Sequence, residues 1–128
     1  MAYIAHVTFL VPDYDQGIAF FVRTLGFELV ADTDLGKGKR WVLVRPRGGG
    51  GSSLLLARAD NDRQRARVGD QTGGRVGFFL FSDDFAADYA EMLRKGVVFL
   101  EKPRHETYGT VAVFADPFGN TWDLLQPA

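Results

Sequence analysis

The chain has 128 residues, with 15 Lys and Arg against 16 Asp and Glu, and no cysteine. A formal net charge of −1 offers no basic field to nucleic acid or an anionic membrane surface, and the lack of thiols excludes disulfides, thiolate metal sites and cysteine nucleophiles. Apolar residues make up 46%, enough for one globular domain or two small units sharing a core; no apolar run approaches the roughly 20 residues of a membrane span and the N-terminus lacks signal-peptide character, so a cytoplasmic protein is expected.

Ile4 to Val11 alternates and is rich in β-branched and aromatic residues, which predicts a strand that Pro12-Asp13 ends. Asp13 is a helix N-cap, with Gln16 as the return partner of a capping box. Tyr14, Ile18, Phe21 and Leu25 follow at spacings of four, three and four, the stripe of an amphipathic helix that Gly26 closes. Phe27 to Ala31 restarts a strand. Asp32 to Lys39 then reads as a polar turn, Arg40 to Arg45 as a strand, Gly48 to Gly51 as a flexible hairpin end and Ser53 to Ala57 as a fourth strand.

The second half repeats the order. Arg75 to Phe81 is a predicted strand, Asp84 caps a helix striped by Phe85, Tyr89 and Met92 or Leu93, and Gly96 ends it. Val97 to Glu101, Thr110 to Ala115 and Asn120 to Leu125 supply three more strands. From capping Asp to terminating Gly is 13 residues in the first half and 12 in the second; from that Gly to Trp41 or Val111 is 15 in each. A duplicated βαβββ unit accounts for this, with module one over 1–57, module two over 75–128, and a charged stretch at 58–74 that reads as a linker or a short helix. One helix covers one face of a four-stranded sheet, so the other face must curl around something, pair with its sister sheet or meet a second chain.

Asp116-Pro117-Phe118-Gly119 is a tight turn in which Asp116 can bond the backbone two residues on. Alternation along the strand that follows puts Asp123 on a face with Thr121 and Leu125, opposite Trp122 and Leu124, so Trp122 is core. A carboxylate turned toward an interior is costly unless paired, so either its face is wet or a partner meets it.

The His6-bearing first strand, the pattern Asp13…Ala19-Phe20-Phe21…Leu25-Gly26-Phe27, its echo in the second half, and Tyr108-Gly109-Thr110…Asp116-Pro117-Phe118-Gly119-Asn120…Asp123-Leu124 together resemble the vicinal oxygen chelate superfamily, the glyoxalase, bleomycin-resistance and extradiol-dioxygenase group. The likeness spans almost the whole chain. It implies an α+β fold, two tandem βαβββ modules forming a cupped mixed sheet (the glyoxalase/bleomycin-resistance-like fold), usually as a homodimer with a cleft between modules. Members that do metal chemistry place a ligand on the first and last strand of each module, typically His and Glu, and the metal acts on vicinal substrate oxygens as a Lewis acid. Carried onto this chain, those positions fall on His6, on Leu55, on or beside Phe78, and on Asp123. Leu55 and Phe78 offer no donor, so His6 and Asp123 are the metal candidates of an incomplete site, and the resemblance implies no cofactor firmly beyond an optional divalent metal ion.

His6 and Asp123 are also the catalytic candidates. His6 is open to roles as ligand, general base, substrate-orienting donor or simple hydrogen-bonded strand histidine, and an Asp123–His6 pair, if formed, would favour the imidazolium. In Pro103 to Gly109, read as a solvated loop, His105 and Glu106 are substitute donors only if the backbone is irregular, and Tyr108 adds a ring. Arg40 and Trp41 open a strand and would show a cation and a flat ring to an aromatic or anionic ligand, while Leu55 and Phe78 would grease the floor of a hollow. Gly48 to Gly51 lacks the Lys-Ser/Thr and helix of a phosphate loop, Ser52 and Ser53 lack a nucleophile elbow, and Arg63, Arg65 and Arg67 lie near acids in the linker. The expected function is therefore binding of a small aromatic or apolar organic molecule by a homodimer, without a complete metal site and without nucleic-acid or membrane partners. The alternatives are a metal-dependent lyase, isomerase or dioxygenase of the same superfamily, and a structural or regulatory dimer with a filled cleft.

Overall fold

In the computed structural model, which describes residues 1–128, both halves of the chain fold on one plan. Unit one, Met1–Val68, contains β1 (His6–Val11), α1 (Tyr14–Ile18), β2 (Glu28–Gly36), β3 (Lys39–Arg45), β4 (Ser53–Arg58) and α2 (Asp62–Arg65), with sheet order β1-β4-β3-β2. Unit two, Gly69–Ala128, contains β5 (Phe78–Phe81), α3 (Phe85–Arg94), β6 (Val98–Phe99), β7 (Arg104–Glu106), β8 (Gly109–Ala115) and β9 (Thr121–Pro127), with order β5-β9-β8-β6 and β7 also on β8. The first and last strands of each unit pair in parallel, β1 with β4 and β5 with β9, and β6 and β7 share the place that β2 holds alone. The α+β architecture and its duplication are as the sequence predicts. No helix is long and apolar enough to cross a membrane.

In unit one, alternation along the strands sends Phe9, Val11, Val42, Val44 and Leu56 beneath α1, where all five are fully buried. Each such side chain contributes about 1.5–3 kcal/mol on leaving water. Gly17 lets the helix lie this close, since a Cβ there would come within 3.0 Å of both Leu56 and Val11. Asp13 caps α1 as expected, its carboxylate accepting from the Gln16 N–H at 3.0 Å. Past Ile18 the helix departs from the predicted stripe. Ala19–Thr24 forms a widened turn in which the Leu25 N–H donates to the Phe20 carbonyl five residues back. Tyr14, Gly17, Phe20 and Phe21 are consequently the buried set, with Ile18 and Leu25 only half-buried. The extra residue in the turn brings two consecutive rings inward, and Phe21 lies edge-on to Phe9 at 5.0 Å.

Asp32 to Lys39 is not the turn that its polarity suggests. β2 continues through Asp32, Thr33 and Asp34 to Gly36, its register shifting at Leu29/Ala31 and Asp34/Gly36. As an outer strand with no buried face along this stretch it needs no apolar side, so no apolar alternation marks it. The charged stretch at 58–74 contains α2, a single turn capped by Asn61.

Unit two buries an aromatic column between sheet and helix: Phe78 stacks on Trp122 at 4.6 Å, Trp122 on Phe114 at 5.6 Å, and Phe99 and Tyr89 extend the contacts toward Phe85. Asp84 caps α3 through the Ala87 N–H at 3.1 Å. Arg104–Glu106, read as loop, is a strand because its backbone pairs with β8, His105 opposite Thr110. The Asp116 turn forms as expected and does more besides. Asp116 Oδ1 accepts from the Phe118, Gly119 and Asn120 N–H groups, and Oδ2 from Asn120 Nδ2 and Trp122 Nε1.

Candidate functional site

Each sheet has one face beneath its helix and one open, and the candidates divide between these. On the open face of unit one, His6, Thr8 and Leu10 of β1 pair with Ser53, Leu55 and Ala57 of β4, and Leu43 of β3 lies opposite Leu55. Trp41, two residues before Leu43, shares this face, and its ring meets His6 edge-on at 6.0 Å. His6, Trp41 and Leu55 are therefore brought together. Arg40, one residue from Trp41, turns the other way. Its guanidinium reaches Asp15 at 2.9 Å and Asp32 at 2.7 Å, and its backbone N–H donates to the Tyr14 hydroxyl at 3.2 Å. The hydrogen bonds it donates to Asp32 and then to Asp15 push the Arg40 guanidinium further above its already high range. The expected display of Arg40 beside Trp41 is thus corrected: adjacent strand residues diverge, and this cation is already held by two carboxylates.

On the open face of unit two, Asp123 lies opposite Phe79 on β5 and Val113 on β8. The next row holds Phe81, Leu125, Val111 and Arg104. Phe78 is one residue off this face and belongs to the aromatic column under α3, so the floor position is Phe79, which is 61% exposed. Asp123 Oδ1 is buried without a hydrogen-bond partner. Burial is the main cause that raises the Asp123 carboxyl above its ordinary range, opposed by the charge of Arg104 and assisted by that of Glu101. Arg104 does not reach Asp123 with a hydrogen bond because it is engaged by Glu101, Tyr108 and Glu106, which raise its own pKa.

His105 and Glu106 diverge on regular strand β7. Glu106 holds Arg104 at 2.8 Å, while His105 Nδ1 lies 3.2 Å from Thr110 Oγ1. Tyr108, in the β7–β8 turn, is exposed. Seven residues before each capping Asp stand His6 and Gly77, so the counterpart of His6 in unit two is a glycine, and a Cβ there would meet Thr72 at 2.8 Å. The donors within each unit do not fit the oxygen-rich or multi-imidazole shell of a divalent ion: unit one sets His6 among hydroxyls and hydrocarbon, and unit two sets Asp123 beside Phe79 and Val113. No three His, Asp or Glu side chains gather as a metal-holding group.

Thr8 and Phe79, opposite Leu55 and Asp123, escape a reading by residue type; counting five residues back from Asp13 and Asp84 finds both. A second feature had no sequence signal at all. The β3/β4 ladder holds only over Val42–Val44, so β3 and β4 splay toward Lys39 and Arg58 and leave a hollow of about 230 Å³. Tyr14, Trp41, Leu55, Arg58 and Gln64 are among its walls.

A sequence profile of the Glyoxalase/Bleomycin resistance protein/Dioxygenase superfamily matches residues 3–124. An uncharacterized protein of Shewanella frigidimarina (strain NCIMB 400) is 50% identical over 124 residues, 96% of this chain and 92% of that protein. The solved structure of UcmS2 superposes with a TM-score of 0.84 at 30% identity, covering 98% of both chains. That of TnmS3, an antibiotic binding protein from Streptomyces sp. CB03234, superposes with a TM-score of 0.79 at 31% identity, covering 100% of this chain and 98% of that one. With its duplicated βαβββ units and a profile match across nearly its full length, the chain belongs to the glyoxalase/bleomycin resistance protein/dioxygenase superfamily.

Proposed function

We propose that this protein binds a small aromatic or apolar organic molecule against its open sheet faces, acts as a homodimer, and does so without a complete metal site. The observation that carries this reading is the open face of unit two, where Phe79 and Phe81, 61% and 66% exposed, flank a carboxyl that has an unpartnered oxygen. Exposed rings beside one polar group suit a flat ligand with a single hydrogen-bonding handle. On the face of unit one, Trp41 beside His6 and Leu55 repeats that combination. The antibiotic-binding relative supports the same class of ligand. The exposed apolar surface at Phe79, Phe81, Val98 and Leu100 supports association with a second copy.

The test is a thermal-shift screen of the full chain against aromatic acids, diketones and glycopeptide antibiotics, with the metal content of protein purified without chelator measured in parallel. A saturable rise in melting temperature in metal-free protein is expected. Stoichiometric metal that is lost in His6→Ala would overturn the reading in favour of a metal-dependent enzyme. A flat response to every compound would leave the structural dimer.

A further inference from the structure

The splay between β3 and β4 carries chemistry that the open faces do not. On one side of it Lys39, Arg40 and Trp41 pair outward with β2; on the other, Ala57 and Arg58 pair outward with β1. Two guanidinium groups approach the Tyr14 ring there, Arg40 at 5.2 Å and Arg58 at 5.7 Å from its centroid. Arg40 is saturated by Asp15 and Asp32. Arg58 has no carboxylate and no hydrogen-bond acceptor; it extends across the wedge to the β2–β3 turn, its Nη2 lying 3.4 Å from where a Cβ on Gly38 would stand.

A second donor faces the same space. The Gln64 side chain lines the hollow, and its Oε1 accepts from the Asp60 N–H at 3.0 Å. That bond fixes which end of the amide is oxygen, and leaves the NH₂ group without a partner. The remaining lining residues include Trp41, Leu35, Leu55 and Ala57, with Lys39 adding positive charge. Asp60 also lines the hollow, which disfavours an anion of more than one charge. At about 230 Å³ the space falls short of the roughly 300–1,000 Å³ of drug-sized sites. It suits a ligand of one ring.

We propose that this hollow is a binding site for a singly charged aromatic carboxylate, with Arg58 as its anchor, Gln64 Nε2 as second donor and Trp41 against the ring. A guanidinium presents paired N–H donors that match a carboxylate, and an aromatic body meets the flat wall. The hollow shares Trp41 and Leu55 with the open face of unit one, so Arg58 and Gln64, which that face does not use, separate the two readings.

Titration of the ¹⁵N-labelled full chain with sodium benzoate, followed by NMR, tests it. The expected result is saturable shifts of the Arg58 Nε–H, Gln64 NH₂ and Trp41 indole N–H signals, with benzyl alcohol and inorganic phosphate giving no saturation. Arg58→Gln should weaken benzoate binding by at least about tenfold, as loss of a charge-assisted contact requires. Gln64→Glu keeps an acceptor for the Asp60 N–H but replaces a donor with a charge, and should abolish binding. Unchanged affinity in both variants, or no saturable shift with benzoate, overturns the proposal. Equal response to phosphate overturns the carboxylate assignment. Benzoate shifts confined to Phe79, Phe81 and Asp123 would refute this site while leaving the open-face reading intact.

Discussion

Asp123 sits directly opposite Phe79 across the parallel β5/β9 pair, a neighbour whose side chain offers the carboxyl no hydrogen bond. Burial raises its folded pKa above the unfolded value, and the folded state therefore holds that proton to higher pH. The stabilisation this gives is full at low pH and is lost as pH rises from about 3.9 through the raised value. Asp123→Asn removes the ionisation while keeping the shape. Above that window the variant should be more stable than the parent by about 0.5–1 kcal/mol, discounted for the partial exposure of the site, and the difference should vanish below about pH 3.9. Urea unfolding at several pH values measures it; a variant less stable at neutral pH would mean that Arg104 pairs with Asp123 after all.

Asp116 predicts a larger effect of opposite sign. Its carboxylate accepts from three backbone N–H groups and two side-chain N–H groups, in a turn where Asp116 and Asn120 are 4% and 7% exposed. Asp116→Ala strands several buried donors at once, each costing about 1–3 kcal/mol. A loss of about 3 kcal/mol or more is expected by urea denaturation, with the Trp122 fluorescence signal perturbed because its indole N–H loses its acceptor. A loss within about 0.5 kcal/mol, the range of an ordinary surface change, would contradict the hub.

The turn around Asp116, the caps at Asp13 and Asp84 and the core role of Trp122 were legible because each depends on residues within a few positions of one another. The Asp32–Gly36 end of β2 and all of β7 were not, since exposed outer strands are fixed by pairing with β3 and β8 rather than by their own apolar pattern. The widened turn at Ala19–Thr24 is a matter of one extra residue between carbonyl and N–H, which a stripe of spacings three and four does not register. The site divided in the same way. Strand alternation placed Asp123 opposite Trp122 without error, yet the floor residue Phe79 rather than Phe78 needed the register of β5 on β9. The hollow at Arg58 needed knowledge of where a ladder stops.

Gly69 offers a test of how the Asp116 turn is seated. It has φ of +74°, and a Cβ would stand 2.0 Å from the Phe118 carbonyl oxygen and 3.0 Å from the Gly119 Cα. Both neighbours are backbone and cannot rotate away. Gly69→Ala should therefore combine a left-handed penalty with displacement of the turn, for a loss of about 2 kcal/mol or more. Amide exchange should rise at Phe118 to Asn120, whose N–H groups point at Asp116. A variant with native stability and protected amides there would show that the Gly69 and Phe118 segments separate freely.

Arg40 gives the pH dependence opposite to that of Asp123. Its hydrogen bond is the main cause holding the Asp32 carboxyl below the ordinary range, with burial opposing. A depressed carboxyl pKa contributes stability that is present above the unfolded value near pH 3.9 and disappears as pH falls through the folded value. Arg40→Gln should accordingly cost up to about 1 kcal/mol at neutral pH, because the pair is partly exposed to solvent, and the cost should shrink in molar salt and toward pH 3. The Tyr14 hydroxyl accepts the Arg40 backbone N–H, which the substitution leaves in place, so the β2–β3 hairpin should keep its position. In the double variant with Asp123→Asn the two pH trends should add, since the residues lie on different sheets and share no partner. A cost for Arg40→Gln that is independent of pH and salt would show that the side chain acts by packing on Tyr14, and that Asp15 and Asp32 are bystanders.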